Sequence, residues 1–277
     1  MSAATQAALA RLAALGDGFP IDAARDTDAL RAAGWSPSSR LADPAAWPAI
    51  ADRYARDTMA GGPRAAGGSC ALQGYAGRLA GAVLGVWVQT GALLDLAPEA
   101  VWVRLVEGRT RAIALPGAAV ARAEASTGEV ARALLAGHLA PVVAASRTAS
   151  RIVERVAWGN VAAACAGAFG LLHRTLDPGH RPGLRAAAER FLDDPAWPAR
   201  ELVALRPVAG HPAVLAHERR TCCLMRLSPV KRECAACDRL TAPERAARQA
   251  AAAAAATPLG RLPAAAAVVG VATGAPS

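Results

Sequence analysis

Four of the six cysteines in this 277-residue chain fall within the sixteen positions from Cys222 to Cys237, with the spacing C-C-x10-C-x2-C. No other feature constrains the fold as tightly. Four thiols at this density either share a soft metal centre, pair as disulfides or stay free. Thiolates suit Zn2+ or an iron–sulfur cluster. A structural zinc site usually draws on two separated C-x2-C pairs, and only Cys234 and Cys237 form one here. Cys222 and Cys223 are neighbours, and neighbouring side chains of an extended segment point to opposite sides. They reach one ion only across a bent backbone, whereas a two-iron cluster is wider. The plant-type C-x4-C-x2-C spacing is absent.

Around this stretch the chain reads as α+β, mainly α-helical with a small β-hairpin. Its apolar fraction of 53% is ample for a core, and much of it is alanine, which favours helix. Met1–Leu15 reads as a helix with Leu9, Leu12 and Leu15 on one face. Gly61–Gly68 reads as a flexible connector, with Ser69 capping the next helix. That helix, Cys70–Leu96, is the longest apolar candidate. Its uncharged part, Leu79–Leu94, is bracketed by Arg78 and Asp95 and falls short of the roughly 20 residues of a membrane span. A central buried helix is expected. Val101–Leu115 alternates as a hairpin turning at Glu107-Gly108-Arg109. Helices follow over Glu124–Ser146, bent at Gly137 and Pro141, and over Thr148–Trp158. Val161–Leu172, capped by Asn160, and Leu184–Leu192 are two more, and Leu202–Leu205 is a strand or a helical turn. Cys70 and Cys165 read as small buried hydrophobes, and His138 as a packed or capping residue. The divisions are an N-terminal helical extension (1–62), a mainly helical body (63–215), the cysteine segment (216–242), and an alanine-rich helix with a disordered tail (243–277).

Several function classes drop out. The net charge is +9, but Lys231 is the sole lysine and the arginines are scattered, which describes a solvated surface rather than a nucleic-acid groove. No carboxylate spacing singles out an acid–base pair, so no catalytic residue is assigned. No G-x4-G-K-[S/T], G-x-G-x-x-G, H-E-x-x-H or G-x-S-x-G pattern appears. Met1–Gly18 has no basic start followed by an apolar run, so a cytoplasmic location is expected, where clustered cysteines bind metal more often than they form disulfides.

The cysteine spacing resembles that of the FhuF-type ferric-siderophore reductases. The approach Arg219-Arg220-Thr221-Cys222-Cys223-Leu224, the upstream Trp158-Gly159-Asn160-Val161-Ala162-Ala163 and the run His138–Val143 are similar too. The likeness spans roughly residues 65–240. It implies that Cys222, Cys223, Cys234 and Cys237 hold a 2Fe-2S cluster, making this region an iron–sulfur segment. It implies one-electron reduction of a ferric siderophore, hydroxamate chelates first, with release of ferrous iron. With no nucleotide or flavin motif, the electron must come from an external ferredoxin- or flavoprotein-type donor. Peripheral association with a membrane or a siderophore transporter is compatible with this. The competing readings are a zinc-stabilised binding protein, for nucleic acid or siderophore, and a non-catalytic siderophore-handling module. His211 and His217 stand near enough in sequence to replace a cysteine as in Rieske centres, though four cysteines make that unnecessary. Arg219, Arg220, Arg226, Lys231, Arg232 and Arg239 surround the thiolates. They either raise a cluster's potential and steer an anionic partner, or simply solvate the segment.

Overall fold

The stretch after Pro63 runs for 27 residues with no proline and no carboxylate, and it folds as one helix that stops where Gly91 turns left-handed at φ 75°. In the computed structural model, residues 2–16, 19–22, 26–116, 119–195, 197–198, 200–230 and 233–270 are described. The helices are α1 (Ala3–Ala13), α2 (Thr27–Ala32), α3 (Trp47–Arg53), α4 (Arg64–Thr90), α5 (Thr127–Ala131), α6 (Ala140–Ser150), α7 (Glu154–Thr175), α8 (Arg181–Leu192), α9 (Ala242–Ala254) and α10 (Ala266–Val269). The strands are β1 (Ile21–Asp22), β2 (Ser36–Pro37), β3 (Leu93–Leu94), β4 (Trp102–Val106), β5 (Arg109–Ala114), β6 (Val120–Arg122), β7 (Val203–Val208) and β8 (His211–Arg219). The mainly helical α+β reading therefore holds.

α4 and α7 pack along each other and form the axis of the protein. Both are almost wholly buried, and one continuous core joins Leu12, Trp47, Tyr75, Trp87, Phe169, Phe191 and Val269. Burying one such large side chain stabilises the fold by roughly 1.5–3 kcal/mol. α4 begins at Arg64, so the expected glycine-rich connector is helical from there and Ser69 lies inside the helix rather than at its cap. The glycines serve close approach instead. A Cβ at Gly67 would lie 2.1 Å from the Ala51 carbonyl oxygen, and one at Gly68 would lie 2.0 Å from Ser150 Oγ.

β4 and β5 form the expected hairpin, with Glu107 and Gly108 both at positive φ. It sits in a four-stranded sheet of order β1-β5-β4-β2, with β1 parallel to β5. The expected bend after Glu124 is a π-helical stretch, Arg132–Leu139, between α5 and α6. Thr148–Trp158 is not one helix: α6 ends at Ser150, Arg151 turns left-handed, and α7 begins at Glu154. Asn160 is consequently buried inside α7 and caps nothing. His138 is a core residue. Its Nδ1–H donates to the Leu96 carbonyl at 2.7 Å, and its Nε2 meets the Tyr75 hydroxyl at 2.5 Å.

The tail expected to be disordered packs over its described part. Leu262, Val268 and Val269 are buried, and the Ala265 amide donates to Val88 of α4. Residues 271–277 lie outside the described residues. Among the described residues, one helix, α7, is long and apolar enough to cross a membrane, and 83% of its apolar window is buried inside the protein.

Candidate metal centre

The cysteine segment hangs on α7 through a second hairpin. β7 and β8 pair antiparallel, with Val203 opposite Arg219, around Gly210 at φ 75°. β8 crosses α7 at Gly170, where a Cβ would lie 2.6 Å from the Leu215 carbonyl oxygen. One residue past Arg220 the chain meets α7 again: a Cβ on Gly159 would lie 1.9 Å from Thr221 Oγ1. The glycine of the Trp158-Gly159-Asn160 run is thus the seat of the residue that precedes the first cysteine pair.

Beyond Thr221 regular structure is sparse. Leu224 is left-handed (φ 65°), which supplies the bend needed after two adjacent cysteines. A 3-10 turn, Met225–Leu227, follows, and Ser228 Oγ anchors it by donating to the Met59 carbonyl at 2.8 Å. The Cys237 amide donates to the Cys234 carbonyl at 3.0 Å, closing the C-x2-C pair into a turn. Thr241 and Glu244 then form a reciprocal cap that starts α9.

One buried cation ties these pieces together. Arg219 is 4% exposed, and its guanidinium donates in three directions. The acceptors are Gln73 Oε1 on α4 (2.8 Å), Asn160 Oδ1 on α7 (2.5 Å) and the Thr221 carbonyl (3.1 Å). Its amide also donates to the Ala236 carbonyl at 3.2 Å. Asn160 Nδ2 passes the connection to Ser69 Oγ at 2.7 Å, and that hydroxyl donates to the Cys223 carbonyl at 2.8 Å. Each fork of the guanidinium ends on a neutral acceptor. No carboxylate neutralises it through these bonds, and its charge helps hold the Cys223 thiol down.

Cys222, Cys223, Cys234 and Cys237 line one cavity of about 580 Å3, floored by α4 and α7. Among the described residues, no three His, Cys, Asp or Glu side chains close round a single ion site. A fifth thiol, Cys70 of α4, lines the same cavity with its Sγ 3.5 Å from the Cys223 carbonyl oxygen. The Cys70 thiol stands beside the Cys223 thiol. That neighbour, with Arg219 and the Met225 amide, pulls the Cys223 thiol down despite its burial. The same pairing, with burial, pushes Cys70 up. Burial raises Cys237, with Asp238, Cys234 and Cys222 adding to it. The Leu224 amide approaches Cys222 Sγ at 3.4 Å.

The sequence reading placed Cys70 in the core without a role. More than 150 residues separate it from Cys223, and only the packing of α4 under the segment brings them together. Cys165 is buried on α7 and is not on the cavity wall. His217 does line the cavity and is held down to about 4 by burial and then by Arg219, so it is neutral at pH 7. His211 opens β8 and lies off the cavity. Of the basic residues flagged around the thiolates, Arg219 is buried, Arg220, Arg226 and Arg239 are exposed, and Lys231 and Arg232 lie outside the described residues.

No curated protein matches the chain. A family model described as ferric iron reductase FhuF-like transporter matches residues 72–210, which takes in most of α4, all of α7 and the first strand of the second hairpin, and ends before the cysteines. On that match, covering half of its length, the chain belongs to the FhuF-like ferric iron reductase family.

Proposed function

We propose that the protein reduces ferric iron held by a siderophore, one electron at a time, through a 2Fe-2S cluster on Cys222, Cys223, Cys234 and Cys237. The observation that carries this is the shared cavity: four thiols of one short segment face it, over helices that belong to a ferric reductase family. The donor set fits the group. Its sulfurs share a cavity without closing round one point, and a two-iron cluster divides four ligands between two metals. When bound, the cluster supplies a one-electron relay.

The chain's own residues hold and tune that site. Arg219 fixes the segment to both helices and leaves a positive charge beside it, which favours the electron-rich state. The Leu224 amide donates toward the Cys222 sulfur, and the Cys70 thiol lies against the Cys223 backbone. The cavity admits a small chelate next to the thiols. One electron, from an external ferredoxin- or flavoprotein-type donor in the cytoplasm, converts the chelated ferric ion to ferrous. Hard hydroxamate oxygens hold ferrous iron far more weakly, so the metal leaves and the siderophore stays intact.

The test is the visible and electron-paramagnetic spectrum of anaerobically purified protein, with iron and zinc measured per chain. A coloured protein with two irons, paramagnetic after reduction, is expected. Reduced protein mixed with a ferric hydroxamate should then reoxidise as a ferrous trap fills. Colourless protein carrying stoichiometric zinc overturns the reading.

A further inference from the structure

The cavity has a second end. Along α4 it runs from Cys70 to Gly81, about 16 Å at the helical rise. The thiols crowd one end. Arg78, about two turns along α4 from Cys70, reaches the same wall with its guanidinium folded back to Gly74. One of its Nη atoms donates to the Gly74 carbonyl of its own helix at 3.1 Å, while its Nε is buried with no hydrogen-bond partner among the described residues. A buried guanidinium nitrogen without an acceptor is costly, and proteins keep few of them.

Arg78 is not alone. Arg109 and Arg111 of β5 lie near enough to repel it, and Arg226 lines the same cavity. None of these four arginines forms an ion pair among the described residues. The one carboxylate on the wall among the described residues, Glu233, adjoins Cys234 at the thiol end. Tyr54 lines the cavity as well. Glycines and alanines of α4 and α7 leave the floor smooth.

Two partners could answer such charge: a small anion inside the cavity, or an acidic electron donor on the surface. An acidic protein meets exposed side chains, but Arg78 is only partly exposed and lines the cavity wall. A chelate entering the cavity reaches it. Arginine also offers a planar fork that matches a carboxylate.

Resting on the reductase reading, we propose that the cavity selects ferric chelates of net negative charge. These are hydroxamate complexes that also carry free carboxylates, bound with a carboxylate on Arg78 and the metal toward the cysteines.

The test uses full-length protein and redox-inert gallium(III) complexes of two matched hydroxamate ligands, one with free carboxylates and one with the same groups as neutral amides. Affinity is read from tryptophan fluorescence. The carboxylate complex is expected to bind at least tenfold tighter, a margin that shrinks with salt. Arg78→Gln should bring it to the level of the neutral complex, and Arg78→Lys should retain part of the preference. Equal affinities in the wild-type protein, or a preference that survives Arg78→Gln together with Arg109→Gln, overturn the proposal. So does an arginine variant that slows electron uptake from an acidic donor with chelate affinity intact. If carboxylate chelates bind as expected but the iron-loaded protein never reduces their ferric forms, the reductase reading fails and this one stands. If neutral and anionic ferric chelates are bound and reduced alike, the reverse holds.

Discussion

The α4–α7 pair and the segment from Thr221 to Leu240 are built on opposite principles. The helix pair is apolar, glycine-rich and buried along nearly its whole length. Among its described residues the segment has one short 3-10 turn and is held by polar contacts from a few side chains. Packing fixes the first, whereas a buried arginine and two helix residues, Asn160 and Ser69, fix the second. A metal-binding loop needs backbone bends that helices forbid, so its order has to be borrowed from a rigid neighbour.

On the proposed 2Fe-2S reading, replacing any of the four clustered cysteines should break the contrast most sharply. Cys234→Ser should abolish the visible absorption while the far-ultraviolet helix signal stays, because the core contains none of Cys234; Cys165→Ser should keep both. Next comes the seat on α7. Gly159→Val drives a side chain into Thr221, at an overpacking cost of about 1–3 kcal/mol, and iron per chain should fall with the melting temperature. Its counterpart Gly74→Ala faces only Arg78 Nη1, at 3.7 Å, and should be tolerated or gain up to about 1 kcal/mol from helix propensity. Equal effects of the two would erase the distinction between a glycine that seats the segment and one that merely opens the floor.

Arg219→Met should cost about 1.5–3 kcal/mol for the lost charged hydrogen bonds, with iron retention suffering more than helix content. A smaller effect is expected at Cys70→Ala: iron content kept, but the midpoint potential lowered through the loss of the polar thiol beside Cys223. An unchanged potential would return Cys70 to the core.

The smallest effect is acid-linked. Burial holds His138 below its ordinary value, with the Leu96 carbonyl opposing the shift. The unfolded chain therefore takes up a proton first, near pH 6.5. Stability should be full above that pH and decline as the pH falls from there toward the depressed folded value. Melting temperatures between pH 7 and pH 5 check this, and His138→Leu should flatten the slope.

Much of the body was legible. α4 and the β4–β5 hairpin announced themselves by an uncharged apolar run and by alternation around Glu107-Gly108. The β7–β8 hairpin was missed, because Pro207 and Pro212 interrupt its strands and the alternation is weak. The α6–α7 break was missed because nothing at Arg151 marks a left-handed residue. The tail looked disordered because it is rich in small residues. It packs because α8 offers Gly183, where a Cβ would lie 1.5 Å from the Val269 carbonyl oxygen.

Composition and local spacing sufficed for the helical class, the first hairpin and the crowding of four thiols at one place in the chain. Those depend on neighbours within a few turns, and the residues themselves carry that information. Tertiary structure alone put Cys70 under Cys223, buried Arg219 among Gln73, Asn160 and Thr221, and opened a cavity whose wall brings the thiols and Arg78 together. Each is a meeting of residues far apart in sequence, settled by how closely two glycine-bearing helices let a polar loop approach.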